Sequence, residues 1–256
     1  MTKGRFGLRA AFGLVSLWMN ASCVSAASAS ARCGASVAAL SGGAGYETIQ
    51  AAVDDAPDGG TVTVCPGTHD ENLTVSQALT LAGSESAPTV IDGGSSGQVL
   101  DATGIQQGSV TLQDLTLQGG SGSPPGEGDP YGGARGGAIS FGGPRLLMER
   151  VTLQNNGAAV GSALFDDGAM GASEVVLTDC VVQGNVGQPD AEVNYGAIAM
   201  YGWFILSAIN STFSNNDVAD IGFDSSVPPY DPQLFAVPAG DTEVECDDLN
   251  NTCSFH

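Results

Sequence analysis

The chain has 256 residues, with 7 Lys and Arg against 28 Asp and Glu for a formal charge of −21; 42% of residues are hydrophobic but only 6% aromatic. A surface this acidic repels nucleic acid and anionic lipid, which argues against either as a partner. The length permits one or two domains, and the 37 glycines suit many short strands and turns better than helices.

Residues 1–26 are expected to be a signal peptide. Lys3, Arg5 and Arg9 form a basic start, Ala10 to Met19 is a short apolar run, and Val24-Ser25-Ala26 offers a cleavage site of the A-x-A kind. The run is too short for a settled membrane span. Cys23 offers a second route, lipid attachment, although Asn20-Ala21-Ser22 before it lacks the Leu usual in a bacterial lipoprotein signal. The expected product is a monomer, secreted or held at the cell surface or outer membrane, with no transmembrane segment. Cleavage would leave Arg32, Arg135, Arg145 and Arg150 against 28 acids, about −24 and without lysine. Solubility in an extracellular or salt-rich setting explains that charge more simply than a dedicated cation site.

Five cysteines would remain, consistent with an oxidising compartment. Cys246 and Cys253 bracket a short acidic loop and are expected to pair. Cys33 and Cys65 are a further candidate pair, tying the leading segment to the first coil. Cys180 lies at an inward position and reads as a buried thiol.

Residues 27–45 are a small-residue leader. From Tyr46 to Ala56, apolar residues at Ile49, Ala52, Val53 and Ala56 form a helical stripe that Pro57 ends. Thr61 to Cys65 alternates as a strand does, and LTVSQALTLAGS from Leu73 and TVIDGG from Thr89 continue in short extended pieces. A strand-and-bend phrase then returns four times: VTLQDLTLQGG from Val110, LLMERVTLQNN from Leu146, VVLTDCVVQGN from Val175 and LSAINSTFSNN from Leu206. The copies start 36, 29 and 31 residues apart, the mark of a repeat architecture. Superposing them predicts inward rows of Val110, Leu146, Val175 and Leu206; of Leu112, Met148, Leu177 and Ala208; of Leu115, Val151, Cys180 and Ser211; and of Leu117, Leu153, Val182 and Phe213. One polar residue breaks the alternation in each copy, giving a bend row of Asp114, Arg150, Asp179 and Asn210. A structural ladder, with Arg150 between two carboxylates, accounts for all four positions; an active-site groove is the alternative. From Asp217 the rhythm fails, so 217–256 is expected to be an irregular acidic cap or tail, with one strand near Leu234–Val237.

The phrase TIQAAVDDAPDGGTVTVCPGTHDENLTVSQALTLAGS resembles the N-terminal cap and first coil of the right-handed parallel β-helix proteins, the pectin-lyase-like superfamily. The resemblance runs from about 46 to 216 and implies an all-β, single-stranded solenoid closed at its base by an amphipathic helix. Gly137-Ala138-Ile139, Ser162-Ala163-Leu164 and Gly196-Ala197-Ile198, with Phe213-Ser214-Asn215-Asn216, are similar to the GGA(I/L) and FxxN repeats of polymorphic outer-membrane proteins and other adhesin-like bacterial β-helices. This second match is partial.

Lyases on this fold pair Lys or Arg with Ca²⁺, and a chain without mature lysine shows no such motif. Polygalacturonases of the fold use paired aspartates, for which Asp166 and Asp167 are the adjacent pair here; their other elements are missing, and a solvated loop accounts for both residues. The esterase pattern of aspartates with an Arg is not recognisable. Arg150, Asp166 and Asp167 stand as the catalytic candidates. The Gly/Pro-rich insertion from Gly119 to Arg135 carries Glu127 and Asp129, candidate ligands for Ca²⁺, the one cofactor considered. Tyr201, Trp203 and Phe204 are the candidate glycan platform, with packing over the final coil as the plainer reading. The expectation is a non-catalytic surface solenoid, structural or adhesin-like, meeting cell-surface or extracellular glycans or proteins. A polysaccharide lyase, a glycoside hydrolase or a glycan-binding module on the same fold are the alternatives.

Overall fold

The computed structural model describes residues 38–40, 45–124, 133–168, 173–188, 196–201 and 204–216, and the strands Ile221–Phe223, Gln233–Val237, Val244–Asp247 and Thr252–Phe255. These build a right-handed parallel β-helix of three sheets. The first sheet stacks Gly60–Val64, Leu79–Ala82, Val110–Gln113, Arg145–Glu149, Ser173–Thr178, Phe204–Ile209 and Gln233–Val237 in parallel. Ala38–Leu40 adds antiparallel to its lower edge, and Gly45–Tyr46 pairs with that strand. Six strands from Gly67–Asp70 to Thr212–Ser214 form the second sheet, and six from Leu73–Thr74 to Ile221–Phe223 form the third. The four phrases read from the sequence are therefore the later coils of a longer stack, which two coils precede. Parallel pairing also continues past residue 216, through Ile221–Phe223 and Gln233–Val237.

The inward rows are those expected. Leu146 pairs with Val110 and Val175, Met148 with Leu112 and Leu177, and Leu153 with Leu117 and Val182. All of them are buried in one continuous core. Alternation along each strand sends every second side chain to that interior, and burial of so many Val, Leu and Ile residues is the main driving term.

The base is closed by the helix Ile49–Asp55, whose Ile49, Ala52 and Val53 are buried. Thr48 caps it, accepting from the Ala51 amide, while the Glu71 carboxylate accepts from the Ile49 and Gln50 amides at 2.9 and 3.0 Å. Gln50 reaches the exposed edge of the third sheet, donating to the Thr74 carbonyl and accepting from its amide. The helix thus hides the apolar end and also covers an edge strand.

Two left-handed residues turn the chain in each of the four repeat coils. Asp114, Arg150, Asp179 and Asn210 have φ of 50–54° between the first and second sheets, and Gly119, Asn155, Gly184 and Asn215 have φ of 53–66° after the second. Gly, Asn and Asp accept that conformation most readily. Along the first of these rows Arg150 bonds Asp114 and does not lie as a bridge between Asp114 and Asp179. Its Nε and Nη2 donate to the two oxygens of Asp114 at 2.7 and 3.0 Å, while Nη1 bonds Glu149 and Nη2 lies 4.0 Å from Glu85.

A second ladder runs inside. Asn156 and Asn185 are fully buried; Asn156 Nδ2 donates to Asn185 Oδ1 and Asn185 Nδ2 to Asn216 Oδ1, at 3.0 and 3.1 Å. Each amide also donates to a carbonyl one coil below, from Leu117, Leu153 and Val182 in turn.

Cys65 is disulfide-bonded, and its proposed partner Cys33 lies outside the described residues. Cys246 and Cys253 face each other in an antiparallel pair. Cys180 is a free buried thiol, and burial pushes it up to about 11.

Candidate functional site

The third sheet is the one whose outer face is built over. Its outward positions stack in register as Thr74, Asp101, Ser140, Phe165 and Ala199. Outward residues of a solenoid normally meet water, yet Ser140, Phe165 and Ala199 are buried. The cover comes from the loops that enter this sheet. Ser123 and Arg135 exchange backbone bonds at 2.8 and 3.0 Å, and the Val160 amide donates to Ala134 while Gly136 donates to Val160. Ala159, Val160, Phe165, Ala199 and Tyr201 form a small apolar cluster of their own between this layer and the sheet.

Below the covered part, the layer and the sheet enclose a cleft of about 260 Å³ lined by Gln98, Asp101, Thr103, Ser123, Arg135, Ser140, Phe165 and Asp167. Arg135 is fixed by its backbone bridges, and its guanidinium carbon lies 5.2 Å from the centre of the Phe165 ring. Asp101 sits mid-strand with Oδ1 accepting from the Thr103 amide and hydroxyl at 3.0 and 2.7 Å, which fixes the carboxylate plane. The Asp167 amide donates to the Phe141 carbonyl at 3.1 Å, holding that residue at the cleft's far end. A smaller hollow of about 210 Å³, lined by Asn72, Thr74, Ser96 and neighbours, shares Gln98 and Asp101 with it.

The expectation that Asp166 and Asp167 form a solvated loop is incorrect for Asp166. That residue closes the strand Leu164–Asp166 on its inward side, in register with Phe141 and Met200, and is fully buried. Its Oδ2 accepts from the Ser173 hydroxyl and its Oδ1 from the Gly168 amide at 3.2 Å. Burial raises its carboxyl to about 7, with the Ser173 bond opposing. Only Asp167 lines the cleft, so strand alternation separates the two neighbours and they cannot work as a pair.

Arg150, the third catalytic candidate, lies elsewhere. It borders a groove of about 340 Å³ at the first bend, with Ser84 to Thr89, Asp114, Leu115, Thr116 and Thr152, and its guanidinium is already occupied by carboxylates. The aromatic platform is also not assembled as such. Tyr201 is buried with its ring 5.4 Å from Phe165, Phe204 is buried in the main core, and Trp203 lies outside the described residues. Glu127 and Asp129 lie outside them too; among the described residues no group of three or more His, Cys, Asp or Glu is placed to hold a metal ion.

Sequence reasoning missed Asp101 and Gln98. The phrases ending at Ile139, Leu164 and Ile198 mark the later strands of this sheet, but Gln98-Val99 before Leu100 lacks their small residues, so Leu100–Ala102 did not join the row.

No family model matches the chain, and no curated protein matches it. Among solved structures, a pectin methylesterase from Yersinia enterocolitica is similar over 82% of this chain and 86% of its own, with a TM-score of 0.42 and 12% identity.

Proposed function

We propose that this is an exported, surface-associated β-helix of the adhesin-like kind, which holds an uncharged glycan in the cleft of Asp101, Arg135 and Asp167. The observation that carries the reading is the composition of that cleft. Carboxylates, a side-chain amide, hydroxyls and a guanidinium seated on an aromatic ring converge on one rigid floor, which suits a hydroxyl-rich ligand. A chain of charge −21 makes an anionic sugar costly to bring in.

A second reading is hydrolysis, because two carboxylates, Asp101 and Asp167, share the cleft and glycoside hydrolysis needs such a pair across a sugar. One set of assays separates the two. Purified protein is incubated with uncharged polysaccharides and with polygalacturonate, reading both retention and new reducing ends. Retention of an uncharged polymer without new ends, weakened about tenfold or more by Asp101→Asn, supports the binding reading. New reducing ends abolished by Asp167→Asn favour the enzyme, and retention of polygalacturonate alone contradicts both.

A further inference from the structure

We propose that the corner between Asp166 and Ser173 is a proton-operated latch on the cleft, closed while the Asp166 carboxyl carries its proton and loosened at Asp167 when the proton leaves. This goes beyond the glycan reading and holds whatever ligand the cleft takes. The inward ends of the third sheet's strands stack as Ala102, Phe141, Asp166 and Met200, so one acid stands in a row that is otherwise apolar. Among the described residues it is the one buried acid. Its partner Ser173 begins the first-sheet strand on the far side of the corner, in register with Phe204. A carboxyl–hydroxyl bond therefore closes this corner where the neighbouring coils place hydrocarbon. Phe141, Met200, Ser173 and Phe204, which surround it, carry no charge. The Tyr201 amide donates to the Asp166 carbonyl at 2.9 Å, while its ring lies on the outer side with Phe165. The cations of this region also face outward: Arg135 lies over the Phe165 ring, and Arg145 pairs with Glu174 at 2.8 Å. Asp167, the next residue, opposes a second negative charge beside it.

With its proton, the carboxyl rests in hydrocarbon uncharged, held by the Ser173 hydroxyl and the Gly168 amide. Once the proton passes to solvent, the anion keeps those donors but, among the described residues, has no cation against it, and burial is then costly. Relief lies in moving toward water on the side of the cleft that Asp167 lines. Such a movement breaks the bond from the Asp167 amide to the Phe141 carbonyl and that from the Gly168 amide to Asp166, 3.1 and 3.2 Å long. Closure is therefore strongest in acid and weakens as pH rises through about 7. A hydrocarbon side chain at 166, as in the coils on either side, would hold the corner alike at every pH.

The test follows carboxyl carbon shifts and amide hydrogen exchange by NMR from about pH 5 to 9, on the full chain and on Asp166→Asn and Ser173→Ala. No ligand is added, so the outcome stands apart from the glycan reading. The Asp166 carboxyl should titrate near 7. Protection of the Asp167 and Gly168 amides, corrected for intrinsic exchange, should fall about tenfold or more between about pH 5 and 7 and level off above. The Gly83 amide, bonded to the Gln113 carbonyl at 2.8 Å at the bend after Leu79–Ala82, should change by less than about twofold. Asp166→Asn should remove the fall. Ser173→Ala, which takes away a bond favouring the anion, should move the midpoint up. An Asp166 midpoint below about 5, flat protection at Asp167, an equal fall at Gly83, or a fall that persists in Asp166→Asn overturns the latch.

Discussion

Asp166 and Asp167 are adjacent in the chain and face opposite media, and the difference governs how each should behave. A carboxyl raised to about 7 by burial holds its proton more tightly in the folded state than in the unfolded one, where it titrates near 4. Its favourable contribution is therefore complete below about pH 4, declines as pH rises through about 7, and is constant above. The span corresponds to roughly 4 kcal/mol. Asp166→Asn should accordingly melt higher than the parent at pH 8 and no higher at pH 4; parallel Tm curves for the two proteins between those values would refute the assignment. Arg150 combines an ion pair with a left-handed backbone at φ 53°. An exposed pair contributes about 0–1 kcal/mol, and the left-handed conformation costs a non-glycine residue about 1–2 kcal/mol. Arg150→Ala should lose up to about 1 kcal/mol, whereas Arg150→Gly, which relaxes the backbone, should be neutral or stabilising; urea denaturation of the two variants checks the order. The inward rows were legible because alternation and burial follow the same two-residue period. Asp166 was not, because an acid next to an acid and a glycine reads as a turn, and only the register with Phe141 and Met200 shows that the strand has not yet ended.

At the scale of the coil, the stack is held by pairs of groups that match only in that register. The Asn156 amide satisfies Gly120, Leu117 and Asn185 together in the interior. Removing it leaves the Gly120 amide and the Leu117 carbonyl without this partner in the interior, at about 1–3 kcal/mol each, so Asn156→Ala should cost more than Gln154→Ala, whose half-buried outer amide donates to Gln118 and accepts from Gln183. A Tm for Asn156→Ala equal to that of Gln154→Ala would show that the inner ladder carries little. Close approach is the second device. A Cβ on Gly120 would lie 1.8 Å from the Gly137 carbonyl oxygen, and one on Gly137 lies 1.9 Å from that of Ser162, so alanine at either must push neighbouring coils apart. The small residues of the GGAI phrases and the Asn endings of the strand phrases were visible in the sequence. Their roles were only half legible: the endings read as stops, although the second Asn of Asn155-Asn156 points inward and continues the order. The outer layer over the third sheet was not legible at all. It is formed by irregular loops whose pairings, Ser123 with Arg135 and Arg135 with Val160, have no periodicity to betray them.

For the molecule as a whole, a prism filled with hydrocarbon carries a charge of −21. Self-repulsion of that size opposes the compact state and is screened by salt, so Tm should rise by a few degrees between about 10 and 500 mM NaCl; a fall would mean that the ion pairs of Arg145 with Glu174 and of Arg150 with Asp114 outweigh the repulsion. The placement of the binding region is tested most directly by backbone amide chemical-shift mapping as an uncharged polysaccharide is added. The account predicts shifts concentrated at Gln98, Asp101, Arg135, Ser140 and Asp167. Shifts gathered instead around Ser84 to Thr89 and Arg150, or spread evenly over the outer faces of all three sheets, would contradict it.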